Sequence, residues 1–147
     1  VECDLSQATT FTHAMAGGAG GQIGIVSFKN MPADTGVQNG TTATIIFTQN
    51  STVPQSGVGN TQFPAGIGTF VTIKGFENGA LVTGINTTAL VAASAGSAST
   101  VFLSNIASQR DFVSFFIHYN GGTNTTANSY QVYATKSGNF AQGNLIV

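Results

Sequence analysis

Residues 111–119 read DFVSFFIHY: Val113, Phe115, Ile117 and Tyr119 share one parity, and Phe112 and Phe116 share the other. In an extended chain, side chains alternate between faces, so this stretch is apolar on both sides and belongs at the centre of a β-sheet. Working outward, STVFLSNI (99–106) precedes it, and SYQVYAT (129–135) follows the polar turn region NGGTNTTAN (120–128). TATIIFTQ (42–49) places Ala43, Ile45 and Phe47 on one face and mostly threonines on the other, and QIGIVSFK (22–29) is apolar on both faces. GTFVTIKGF (68–76) and ALVTGI (80–85) flank the turn ENG (77–79) as a hairpin, and NFAQGNLIV (139–147) ends on three apolar residues, as a docked strand does. NMPADTGVQNG (30–40) and NSTVPQSGVGNTQFPAG (50–66) are turn-rich loops, and TTALVAASAG (87–96) is the one stretch with room for a helical turn. About eight short strands separated by Gly/Asn turns predict an all-β fold, a single β-sandwich over 22–147 that is either jelly-roll or immunoglobulin-like.

Composition narrows the function. The chain has 147 residues, enough for one domain with an ordinary core. Only 6% of them are charged and the net charge is −1, so there is no basic field for nucleic acid or an anionic membrane. The hydrophobic fraction of 41%, with eleven Phe, supplies a core, yet no apolar run is long enough to span a bilayer. A neutral, hydroxyl-rich surface suits packing against further copies, because strong net charge opposes assembly. The single cysteine, Cys3, excludes an intrachain disulfide and reads as a small buried apolar residue. The sequence opens on Val, as a chain matured from a leader does, which predicts a secreted protein. Four N-x-[ST] sequons, at Asn39, Asn50, Asn86 and Asn124, are candidate N-glycosylation sites in loops or near strand ends.

Catalytic chemistry is sparse. His13 and His118 have no cysteine or carboxylate at ligand spacing, so no metal and no cofactor is expected. Asp111, Ser114 and His118 form a triad only on paper, along one strand and without a nucleophile turn. The run from Gly17 to Gly21 carries Ile23 where a phosphate loop needs a third glycine, and a strand follows it, so it reads as a flexible connector. Tyr119, Tyr130 and Tyr133 are candidates for stacking on sugar rings. Lys29, Lys74 and Lys136, among many asparagines, are candidates for an internal Lys–Asn isopeptide bond catalysed by a buried carboxylate such as Glu77 or Asp111; a solvated lysine at a strand end is the plainer reading. The chain reads as a non-enzyme.

The amino-terminal stretch VECDLSQATTFTHAMA (1–16) keeps every large apolar side chain at one parity: Val1, Cys3, Leu5, Phe11 and Met15. Extended, it reaches about 55 Å, far more than an ordinary strand. The glycine connector at 17–21 frees it from its own domain. It is therefore expected to lie as one donor strand in a neighbouring copy, those five residues being its anchors, with Glu2 and Asp4 facing solvent.

VSFKNMPADTGVQNGTTATIIFTQN (26–50) and SNIASQRDFVSFFIHYNGGTNTTANSYQVYAT (104–135) resemble, in their order of strands and turns, the jelly-roll subunits of TasA-type biofilm fibres and the related archaeal bundling pilins. The resemblance implies an extracellular, cell-surface homopolymer assembled head to tail by donor strands, whose partners are further copies, neighbouring filaments or cell-surface glycans. The metal-ligand sets of some fibre proteins have no counterpart here. A viral or phage capsid, decoration or tube protein and a carbohydrate-binding adhesin are the alternative readings.

Overall fold

The computed structural model describes residues 1–15, 25–31, 40–51, 72–77, 79–86, 96–97, 100–101, 103, 107–123 and 125–140. The strands are β1 (Glu2–Asp4), β2 (Thr10–Ala14), β3 (Ile25–Lys29), β4 (Gly40–Thr48), β5 (Thr72–Glu77), β6 (Ala80–Val82), β7 (Ile85–Asn86), β8 (Gly96–Ser97), β9 (Thr100–Val101), β10 (Arg110–Tyr119) and β11 (Tyr130–Phe140). No helix occurs among the described residues.

Two mixed sheets carry the fold, in the orders β1-β3-β5-β6 and β2-β4-β10-β11-β7, and β8 and β9 form a separate small ribbon. The doubly apolar stretch is β10, the central strand of the five-stranded sheet. It runs antiparallel to β4, from Arg110 opposite Thr48 to His118 opposite Gly40. On its other side it runs antiparallel to β11, from Tyr119 opposite Tyr130 to Arg110 opposite Phe140. That ladder shifts register between Arg110 and Phe112, where an extra residue of β11 makes a bulge.

The two sheets share one core. Val26, Phe28 and Val82 from the four-stranded sheet meet Ala43, Ile45, Phe47, Val113, Phe115, Ile117, Val132 and Ala134 from the five-stranded one. The Phe28 and Phe115 rings touch edge to face with centroids 5.3 Å apart. This is consistent with a β-sandwich. One face of β10 supplies the core as the alternation predicts. Its other face is only partly buried: Phe116 is 45% exposed, and no third layer lies over the outside of this sheet among the described residues.

The predicted pairing is present: β5 and β6 run antiparallel from Gly75 opposite Val82 to Glu77 opposite Ala80. The chain then crosses to the other sheet through Gly84, where an added Cβ would run into the Thr126 carbonyl and the Ser129 hydroxyl. The stretch predicted as a strand over 99–106 is strand only at Thr100–Val101 among its described residues. The loops at 32–39 and 52–66, the helical turn expected over 87–95, the glycine connector at 17–21 and the chain end at 141–147 lie outside the described residues.

The amino-terminal stretch departs from the single strand expected in a neighbouring copy in two respects. Residues 1–15 lie against their own chain, and they form not one continuous strand but two short ones, β1 and β2, joined by a turn. The local cause is a hydrogen-bonded Asp turn: Asp4 Oδ1 accepts from the Ser6 amide (3.0 Å) and the Ser6 hydroxyl (2.7 Å), and the Asp4 carbonyl accepts from the Gln7 amide (3.0 Å). The turn carries the chain from one sheet to the other.

Candidate functional site

The candidate site is the edge that residues 1–15 build. β1 lies parallel to β3, with Glu2, Cys3 and Asp4 beside Ser27, Phe28 and Lys29. β2 lies parallel to β4, from Thr10 beside Thr44 to Ala14 beside Thr48. One segment thus supplies the outermost strand of both sheets and closes one side of the molecule within its own chain. Backbone bonds at its ends complete the seating: Ser27 N–H donates to the Val1 carbonyl (2.8 Å), Leu5 N–H to Lys29 (3.1 Å), Thr44 N–H to Thr9 (2.8 Å) and Met15 N–H to Thr48 (2.8 Å).

The five anchors all face inward. Cys3 and Met15 are buried in the core, and Val1, Leu5 and Phe11 are partly buried against it. Two full and three partial burials contribute on the order of 5–10 kcal/mol before the cost of ordering the segment. Burial pushes the Cys3 thiol up to about 11. His13 is half-buried with its ring edge-on to Phe47 at 6.1 Å, and that burial, helped by the charge of the amino terminus, lowers its pKa.

The acidic residues lie on the outer side. Glu2 pairs with Lys29 across β1 and β3 at 2.8 Å, an exposed ion pair that contributes little. Asp4 is held below the usual carboxylate range by the Ser6 hydroxyl first, then by Asn30 Nδ2 (2.7 Å) and the Ser6 amide. Asn30, at the end of β3, adopts a left-handed φ of 52° to reach it.

Elsewhere the structure separates residues that the sequence groups together. Asp111 points into the core, whereas Ser114 and His118, of opposite parity, lie on the outer face. There the Ser114 and Thr44 hydroxyls share a hydrogen bond of 2.9 Å, and His118 stacks on Phe116. The paper triad is therefore not assembled. Of the three tyrosines considered for sugar stacking, Tyr119 and Tyr130 are buried, and only Tyr133 is exposed, beside Phe116. Glu77 accepts the Tyr130 hydroxyl at 3.0 Å. Lys74 is exposed, and Lys136 meets Asp111 in an ion pair of 3.3 Å.

Asn50 follows β4 and its carbonyl accepts from the Ser108 amide, while Asn86 ends β7 opposite Gln131; Asn39 and Asn124 lie outside the described residues. No group of three metal-ligating side chains occurs among the described residues, and no helix there is long and apolar enough to cross a membrane.

One feature escaped the sequence reading. The row His118, Phe116 and Tyr133 on the outer face mixes residues from two strands, so only the β10–β11 register reveals it. Lys136 and Asp111, grouped already from the sequence, share core parity, since Lys136 alternates with Val132 and Ala134, and Asp111 with Val113 and Phe115. No protein-family model, curated protein or solved structure matches the chain.

Proposed function

We propose that this protein is the structural subunit of an extracellular filament, a β-sandwich whose copies join head to tail by exchanging their amino-terminal segments. The observation that carries the reading is that residues 1–15 form the edge strand of both sheets at once. Beyond them the sequence continues in the glycine-rich run 17–21, whose one side chain is the Ala19 methyl. A segment seated in its own chain can occupy the same seat in a neighbour with the same contacts, and exchange of an identical element is a low-cost route to association. Donor and acceptor surfaces differ, so each exchange leaves one segment and one seat free, and the contact propagates unless a ring closes. The uncharged surface favours close packing of copies in the same sense.

The test compares the full chain with a version lacking residues 1–15, by negative-stain microscopy and sizing. The full chain should form long thin filaments. The truncated chain should form none, and a peptide of residues 1–15 added in trans should occupy the vacant seat and suppress its aggregation. Normal filaments from the truncated chain would overturn strand exchange. Closed shells from the full chain would favour a capsid-type assembly instead.

A further inference from the structure

We propose that Lys136 and Asp111 become joined by an amide bond between their side chains, a covalent cross-link between β11 and β10. This is independent of the filament reading. Lys136 Nζ lies 3.3 Å from Asp111 Oδ1, the Asp111 side chain is fully buried, and that of Lys136 is 17% exposed. Amine and carboxyl group are therefore held in contact near one end of β10, on neighbouring strands that fix their approach.

One further observation sets this pair apart from an ordinary surface bridge. The β10–β11 ladder is irregular at this level, the bulge falling between the residues that face Arg110 and Phe112. A bulge re-aims side chains and relaxes the spacing that a cross-link between adjacent strands must meet.

The step balances within the pair. The Lys136 ammonium passes one proton to the Asp111 carboxylate, so that both charges are lost together. The freed Nζ lone pair adds to Asp111 Cγ. The carbon–oxygen bond to the hydroxyl then breaks, the hydroxyl takes a second proton from nitrogen, and one water leaves. One C–N bond forms, one C–O bond breaks, nothing is oxidised or reduced, and no co-reactant is needed. In free solution the excess of water opposes amide formation. Two groups held in reacting geometry behave as though at about 10⁵–10⁸ M, and a buried site excludes the water that would reverse the step.

The experiment is a tryptic digest of the folded full chain, read by tandem mass spectrometry after removal of any glycan. Trypsin cuts after Arg110 and Lys136, so an unlinked chain gives separate peptides 111–136 and 137–147 at their sequence masses. A linked chain gives one peptide, 111–147, uncut at Lys136, lighter by one water and lacking fragment ions inside the loop from 111 to 136. Separate peptides at full mass from the wild-type chain, or an uncut peptide at full mass, would overturn the proposal. Lys136→Arg should restore both the cut and the missing water. A water still missing in that variant would place the dehydration elsewhere and also overturn it. If Lys136→Arg fails to fold, the wild-type digest alone decides.

Discussion

His13 and Asp4 both tie the seating of the amino-terminal segment to pH, and in the same direction. Burial lowers His13 below its ordinary value of 6.5, so the unfolded chain takes up a proton in mild acid before the folded chain does. The stability linked to His13 is complete above 6.5 and is lost as the pH falls through the lowered folded value. Asp4 is held below its ordinary 3.8 by Ser6 and Asn30, so its contribution is complete above 3.8 and is lost as the pH falls through the folded value. The thermal midpoint should therefore decline from pH 7 downward, first through His13 and then, in stronger acid, through Asp4. His13→Gln should flatten the first part of that decline and leave the second. Leu5→Glu places a charge against the core beside Cys3 and should weaken the segment by about 2–4 kcal/mol, whereas Thr12→Glu, on the exposed side of β2, should stay within about 0.5 kcal/mol. Denaturant unfolding of the two variants measures both. Gly84→Ala meets backbone and not the far end of a flexible side chain, so it should cost about 1–3 kcal/mol in the same assay.

At the scale of the element, β10 shows how one strand serves two environments. Phe115 packs on Phe28 in the core, and Phe115→Ala should cost about 3–5 kcal/mol. Phe116 and Tyr133 lie outside, 45% and 41% exposed, and threonine at both positions should change the unfolding free energy by about 1 kcal/mol or less while raising solubility. The alternation of 111–119 was enough to place β10 at the centre of a sheet, because pattern and position share one cause, the ladder on either side. It was not enough to say that both faces are covered, since nothing local to Phe112 or Phe116 reports whether another layer lies above them. The amino terminus teaches the complementary lesson. Parity identified Val1, Cys3, Leu5, Phe11 and Met15 as inward-facing, but the break between β1 and β2 was missed. Asp4 was read as facing solvent from a strand, although with Ser6 it is a turn former when the Asp side chain caps the amide that follows it. Lys136 and Asp111 were legible as candidates, but their direct pairing was not: a charged residue at core parity is assigned its partner only once the register of the neighbouring strand is known.

For the whole molecule, under the proposed strand exchange, seating the segment in its own chain and seating it in a neighbour would be competing outcomes of the same contacts. The segment must first open, and the closed form is favoured by the high effective concentration that the connector imposes. Assembly should accordingly begin after a lag that shortens steeply with protein concentration, and mild acid, which loosens the segment, should shorten it further; light scattering over time checks both. The direction of β2 then has a mechanical consequence. β2 runs parallel to β4 and leaves the sheet at Met15, so tension in a filament joined this way would pull the segment along its own axis. The bonds from Thr9 to Met15 would be loaded together in shear instead of being peeled open one after another, and the joint between copies would yield at a high force.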